Sequence, residues 1–240
     1  MDEAARLASE GAEDGTVVIA DEQTEARGRF QRTWVTEKGN LYLSIVLRPS
    51  MDALQYLSIV SSLAVARAIK KATPLAPTIK WPNDVRLRGK KVCGILVEDV
   101  ITDGSLDYAV VGMGLNVALD PSGIEELANI ATGIDKEAGE KIDRGVLLTH
   151  LLQEMDGLYL SLQQASGKKT KVPGQSSGAD PIVKEWRGLL DTLGKRVDIR
   201  WGEAVLSGYA EGVDQVGDLL LRLDDGELMT LPAGEVTAQT

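Results

Sequence analysis

The chain has 240 residues, 43% of them hydrophobic and 26% charged. That length supports one substantial core with a small satellite domain, and the composition excludes a disordered chain. A formal net charge of −10 argues against general nucleic-acid binding, because an acidic surface repels phosphate backbones unless its cations gather in one place. The single cysteine, Cys93, allows neither an internal disulfide nor a cysteine-based zinc site. The single histidine, His150, leaves no Ser-His-Asp triad unless it supplies the base itself. The acidic start Met1-Asp2-Glu3-Ala4-Ala5-Arg6 lacks the apolar core of a signal peptide, and no apolar run approaches a membrane span. A cytoplasmic protein without membrane partners is expected.

In chain order, Ala4, Ala5, Leu7 and Ala8 have helical spacing and end at Gly11. The β-branched run 16–20 reads as a strand, and 22–39 as a long polar loop. Residues 41–47 form a strand closed by Pro49, and Leu54, Leu57, Val60, Leu63, Ala64 and Ala68 mark an amphipathic helix. Short strands follow at 78–81, 85–87, 92–100 and 106–111, separated by the turn signals Pro82-Asn83-Asp84, Arg88-Gly89 and Asp103-Gly104. A helix over 144–162 turns Val146, Leu147, Leu151, Leu152, Met155 and Leu158 inward. The Gly, Ser, Lys and Pro-rich stretch 166–179 reads as a mobile surface loop, and a short helix covers 182–190. From Lys195 the pattern is β only, with strands at 197–201, 204–212, 219–223 and 228–231 spaced as in a small barrel. A domain boundary therefore falls near residue 191, dividing 1–190 from 191–240.

Three segments have the residue types for chemistry. Arg27-Gly28-Arg29-Phe30-Gln31-Arg32-Thr33-Trp34, followed by Lys38, is the one place where cations gather. Guanidinium forks and backbone N–H groups can wrap a phosphate there, and Trp34 offers a flat face to adenine. A plain exposed basic loop accounts for the same residues. In Lys80-Trp81-Pro82-Asn83-Asp84, turn chemistry explains the last three residues but not the lysine and tryptophan before them, nor Lys90-Lys91 just beyond. Lysines at neighbouring strand ends can converge on one anion, although edge lysines also serve to block strand aggregation. Gly112-Met113-Gly114-Leu115-Asn116 resembles half a dinucleotide fingerprint but lacks the third glycine and the βαβ frame. Its small residues more plainly allow close approach of a ligand or strand. No Walker A sequence occurs.

In order, Gln23-Thr24, Arg27 to Trp34, Lys80 to Asp84, Lys91-Val92-Cys93-Gly94-Ile95-Leu96-Val97-Glu98 and Gly112 to Asn116 resemble the motifs of biotin protein ligases. The tail is similar to that family's C-terminal barrel, through Gly194-Lys195-Arg196-Val197, Gly208-Tyr209-Ala210-Glu211-Gly212-Val213-Asp214 and Gly234-Glu235-Val236. The resemblance implies an α+β fold: a mixed-sheet catalytic domain of the class II aminoacyl-tRNA synthetase type and a small SH3-like barrel. It implies that biotin and ATP, with Mg²⁺, form biotinyl-5′-AMP, and that biotin then passes to a lysine of a biotin carboxyl carrier protein or domain. Carried over, Gln23, Arg27 and Arg29 hold biotin and its adenylate, and Lys91 contacts the reacting carboxylate and α-phosphate. Lys91 and Arg29 are the catalytic pair. Arg32, Lys80 and Asn83 lie on the nucleotide side, Trp34 lies near adenine, and Gly94, Gly112 and Asn116 shape the pocket. Cys93 is expected in a buried strand and His150 on a helix surface, neither with a role. A homodimer through the catalytic sheet is also implied.

Two departures stand out. The family's arginine loop usually opens Gly-Arg-Gly-Arg, whereas this chain has Ala26-Arg27-Gly28-Arg29. The family's Ser-Thr-Asn strand, whose hydroxyls meet the biotin ureido group, should precede the first helix, yet that helix starts at Met1. A first strand is therefore expected to be missing, with weakened biotin binding unless Thr24 or Ser44 substitutes. A lipoate-type ligase shares the chemistry, but its glycine-rich, histidine-containing motif is absent. A biotin sensor that represses transcription needs a helix-turn-helix before the catalytic domain, and none is seen; a non-catalytic biotin-binding protein is the remaining alternative.

Overall fold

The structure, a computed structural model, describes residues 1–26, 28, 36–166 and 180–239. Its larger part is a six-stranded sheet ordered β1-β2-β6-β5-β4-β3. The strands are β1 (Val17–Ala20), β2 (Leu41–Leu47), β3 (Thr78–Lys80), β4 (Asp84–Leu87), β5 (Lys90–Thr102) and β6 (Ser105–Leu115). All five ladders are antiparallel, and three of them, β3–β4, β4–β5 and β5–β6, are joined by tight turns. Parallel pairing, and with it the mixed character expected of this sheet, is confined to two isolated bridges, Ile79 to Leu190 and Lys91 to Ala131.

Alternation along the strands assigns the two faces. Leu41, Leu43, Ile45 and Leu47 of β2, with Val111, Met113 and Leu115 of β6, enter the main core. Above them lie α2 (Met51–Leu54), α3 (Leu57–Ala72) and α5 (Arg144–Ser166). Helix α3 is buried along most of its length because it is wedged between sheet and helices rather than capping a surface. Arg67 on α3 bonds Glu154 and Glu185, tying α5 and α6 (Asp180–Arg187) to it. The opposite face carries α1 (Asp2–Ser9), whose Ala4 and Ala8 pack on Val46 and Val110 as a separate small cluster.

Helix α5 corrects one expectation. Leu147, Leu151, Met155 and Leu158 are buried, but Val146 is 49% exposed. Asp143 Oδ1 accepts from the N–H groups of Gly145 and Val146, which fixes the helix start and puts Val146 on the first turn. It lies one residue, about 100° of rotation, off the inward stripe. The loop expected at 166–179 falls almost wholly outside the described residues.

Beyond α4 (Ile134–Ala138) and α6, five antiparallel strands form a second sheet ordered β10-β9-β8-β7-β11. They are β7 (Arg196–Trp201), β8 (Ala204–Val213), β9 (Leu219–Leu223), β10 (Leu228–Leu231) and β11 (Glu235–Gln239). No β10–β11 ladder closes this sheet into a continuous barrel among the described residues. The two sheets meet at Trp81, which is 1% exposed. Its backbone N–H donates to Thr192 Oγ1 at 3.0 Å, and its indole N–H donates to the Gly217 carbonyl at 3.1 Å. Residues 189–191 run along the outer edge of β3, with the Ile79 N–H donating to the Leu189 carbonyl and the Asp191 N–H donating to the Ile79 carbonyl, so this edge is covered. No helix among the described residues is long and apolar enough to cross a membrane.

Candidate functional site

The face of the large sheet away from α3 carries a depression, and the strand register explains it. Ser44 on β2 sits opposite Gly112 on β6, which sits opposite Leu96 on β5. One step along, Tyr42, Gly114 and Gly94 form the next cross-strand row. Three glycines in two adjacent rows contribute no side chain of their own above the strands and so open space there. A cavity of about 940 Å³ opens there. A Cβ added at Gly112 would collide with the Met1 side chain, so this position has no room for a larger residue as the chain stands.

Tyr42 anchors one wall. Its hydroxyl accepts from the Glu37 N–H at 2.9 Å and donates to the Glu37 carbonyl at 3.1 Å. Asn40 accepts from the N–H groups of Val117 and Ala118, so the incoming loop is stitched to the end of β6.

The opposite wall is cationic. Lys91 at the start of β5 pairs with Asp84 at the start of β4, Nζ to Oδ1 2.6 Å, with both side chains about three-quarters covered. Its backbone binds residues 130 and 132 on either side, which fixes where the side chain emerges. The neighbouring Lys90 is engaged elsewhere, with Nζ donating to the Ala128 carbonyl at 2.7 Å. Strand parity separates these two lysines: Lys91, to which the motif resemblance assigns a role, lines the cavity, and Lys90 does not. Lys80 at the end of β3 also lines the cavity, and burial lowers its pKa below the usual lysine value, more than nearby Asp84 can offset. Asn83 is 5% exposed, and its side-chain amide donates to the Ile95 carbonyl at 3.3 Å. Asn116 is held at the end of β6 by its backbone bond to Val92.

Gln23, Lys80, Asn83, Lys91, Gly94, Gly112 and Asn116, all named from sequence, therefore line one cavity, with Gly28 of the arginine loop at its edge. Thr24 and Ser44, the candidate substitute hydroxyls, line it as well. Arg27, Arg29, Arg32 and Trp34 lie outside the described residues. Cys93 is fully buried on the other face of β5, where burial pushes its thiol pKa far up and leaves it unreactive. His150 is half-buried on α5, remote from the cavity lining.

Sequence reasoning missed the contribution of the second sheet. Arg200 on β7 and Glu235 and Thr237 on β11 line the same cavity, with Arg200 and Glu235 directly opposite each other across the ladder. The loop over 127–131 also lines it. Asp84 stood in a quoted motif, but its pairing with Lys91 depends on the β4–β5 register. Among the described residues, no group of three His, Cys, Asp or Glu side chains is placed to hold a metal ion. The arrangement is a polar-walled, glycine-floored pocket with cations on one side, suited to an elongated acid and a phosphate-bearing partner.

Comparison with known proteins agrees with this geometry. Residues 3–116 match the model of the biotin/lipoate A/B protein ligase family, and 192–237 match that of the biotin protein ligase C-terminal domain. A biotin–[acetyl-CoA-carboxylase] ligase of Paracoccus denitrificans is 34% identical, over 98% of this chain and 94% of its own length. The bifunctional ligase/repressor BirA of Bacillus subtilis is 33% identical over 92% of this chain, which spans 65% of that relative's length. Among solved structures, a biotin protein ligase from Aquifex aeolicus in complex with biotin and ATP superposes with a TM-score of 0.79 at 27% identity, covering 99% of this chain and 94% of that one. With matches to both parts of the chain and relatives aligned over nearly its whole length, the chain belongs to the biotin protein ligase family.

Proposed function

We propose that the chain is an ATP-dependent biotin protein ligase that makes biotinyl-5′-AMP and transfers biotin to a lysine of a biotin carboxyl carrier protein or domain. The observation that carries this reading is the convergence of Gln23, Lys80, Asn83, Lys91, Gly112 and Asn116 on one cavity of about 940 Å³. That volume is at the upper end for small-molecule sites, enough for biotin and a nucleotide together.

In this reading, residues 1–190 form the catalytic part and 191–240 the C-terminal part. Gln23 and the floor at Gly94 and Gly112 receive biotin, and Arg27 and Arg29 hold biotin and its adenylate. Lys80, Asn83, Asn116, Arg32 and Trp34 serve the nucleotide. A carboxylate oxygen of biotin attacks the α-phosphorus of ATP, and the bond from that phosphorus to the β-phosphate oxygen breaks, releasing pyrophosphate. Lys91 neutralises charge that builds on the α-phosphate, and exchanges part of its contact with Asp84 for the substrate as it does so. No proton relay is needed in this step, which suits a cavity without histidine. Mg²⁺ would come with the ATP phosphates as their counter-ion and would supply charge neutralisation there. The carrier lysine then attacks the activated carbonyl and AMP leaves.

The cytoplasm is the compartment that fits this chemistry, and β1, the outermost strand of the large sheet, is where a homodimer through that sheet would pair. The test is pyrophosphate exchange into ATP with biotin or lipoate as the acid. Biotin should support exchange and lipoate should not; the reverse would make the chain a lipoate-type ligase.

A further inference from the structure

The β5–β6 ladder stops at Cys93 and Leu115, two residues short of Lys91. Lys91 is held instead by a short parallel bridge to residues 130–132. Its N–H donates to the Ile130 carbonyl at 2.8 Å, and its carbonyl accepts from the Thr132 N–H at 3.0 Å. We propose that Glu137 is a positioning residue for Lys91, acting through Thr132 and this bridge. The proposal rests on the ligase reading, in which Lys91 meets the α-phosphate, and adds the group that fixes where its side chain starts.

Three observations carry it. Thr132 is 1% exposed, and its hydroxyl donates to Glu137 Oε1 at 2.8 Å. One residue therefore bonds Lys91 through its backbone and Glu137 through its side chain. Second, Glu137 stands on a fixed support. The N–H groups of Ile134 and Asp135, at the start of α4, donate to the Asn116 and Val117 carbonyls at the end of β6. A Cβ at Gly133 would collide with the Leu119 carbonyl oxygen, so glycine lets the backbone between Thr132 and α4 lie this close to the end of the sheet. Third, the Glu137 carboxylate is enclosed, with its side chain 11% exposed and Oε2 lacking a hydrogen bond. Arg88 Nε, on the β4–β5 turn, is 3.4 Å away, but that side chain is largely exposed and contributes little. The bond from Thr132 is thus what offsets the burial of this carboxylate. Without it, residues 130–132 lose their tie to α4, and the start of β5 is free to shift. A displacement of about 1 Å at a group that meets the reacting phosphate can cost on the order of a hundredfold in rate, so even partial loosening should be measurable.

The test reads the position of Lys91 and the reaction separately. In the nucleotide-free chain, hydrogen exchange at single amides should be at least tenfold faster at Lys91 and Thr132 in Glu137→Ala, with Ile95 and Val111 in the sheet interior unchanged. Glu137→Gln, whose amide oxygen still accepts from Thr132, should keep wild-type amide exchange. Lys136→Ala, which breaks an ion pair to Asp120 from the same helix, should keep it too. Thr132→Val, which keeps the shape but not the hydroxyl, is the companion variant and should reproduce Glu137→Ala. In biotin-dependent pyrophosphate exchange, Glu137→Ala should lower kcat at least fivefold and Glu137→Gln less than twofold, while Glu137→Ala should add nothing to Lys91→Met. That last result separates positioning from a general weakening of the fold, which would lower the rate in either background. Wild-type amide exchange at Lys91 in both Glu137→Ala and Thr132→Val, equal acceleration at Ile95, or losses that multiply in the Glu137→Ala/Lys91→Met double variant would overturn the proposal. A chain that supports no biotin-dependent exchange would instead remove the ligase reading, while the amide exchange of Lys91 would still decide whether Glu137 positions it.

Discussion

Replacing Lys91 by methionine keeps the aliphatic length of the side chain and removes its charge. Two separate effects follow, and the structure allows them to be told apart. Asp84 loses a partner 2.6 Å away in a site where both side chains are only about a quarter exposed. Breaking a fully buried pair costs about 3–5 kcal/mol and an exposed one at most about 1, so this partly covered pair should cost ~1–2 kcal/mol of stability. In a 240-residue protein that corresponds to a fall in Tm of roughly 2–8 °C. The second effect is on the reaction, where loss of a contact strengthened in the transition state costs ~2 kcal/mol or more, a drop of at least about tenfold. The double variant Lys91→Met/Asp84→Asn removes the stranded carboxylate. It should recover most of the lost Tm while biotin-dependent pyrophosphate exchange stays as low as in the single variant. Near-normal exchange in Lys91→Met would take Lys91 out of the chemistry, and recovery of exchange in the double variant would show that the loss was structural.

Arg29→Gly should release biotinyl-5′-AMP from the enzyme, seen as biotin on lysines of bystander proteins; labelling confined to the carrier would contradict the retention role given to Arg29. Because burial lowers the pKa of Lys80, its charge, and with it ATP affinity, should fade as pH rises through that lowered value, before an ordinary lysine would titrate. The stability effect has the opposite sign: the unfolded chain binds the extra proton, so over the same range rising pH relieves a cost to the fold. Lys80→Arg, which stays charged, should flatten the alkaline rise in the KM for ATP, and identical pH profiles would refute this. Trp81→Ala should cost about 3–5 kcal/mol, since it empties a fully buried site and strands the Gly217 carbonyl at the junction of the two sheets. A Tm lowered by less than about 3 °C would mean that this junction contributes little.

Much of the site was legible because its residues cluster in short motifs at strand ends. The run of short strands with clear turns placed Gly94 on a strand before its register was known, whereas the expected strand 106–111 stopped short of Gly112 and Gly114, which lie on β6. What stayed hidden depends on contacts distant in sequence. Arg200 and Glu235 reach the cavity only because β7 and β11 pair and the second sheet docks on Trp81, and no local pattern encodes that docking. The strand β11 itself is short, polar at alternate positions and follows a glycine, so it did not register as a strand. Val146 was misplaced for a local reason: the cap at Asp143 sets the start of the helix so that Leu147 faces the core and Val146, on the first turn, faces solvent.

The central claim is best tested by incubating the chain with ATP, Mg²⁺, biotin and a purified biotin carrier domain, and weighing the carrier by intact-mass spectrometry. The account predicts one biotin per carrier, located at a single lysine, dependent on ATP and abolished when that lysine is replaced by arginine. A carrier that remains unmodified under these conditions, or one modified equally well without ATP, would contradict it.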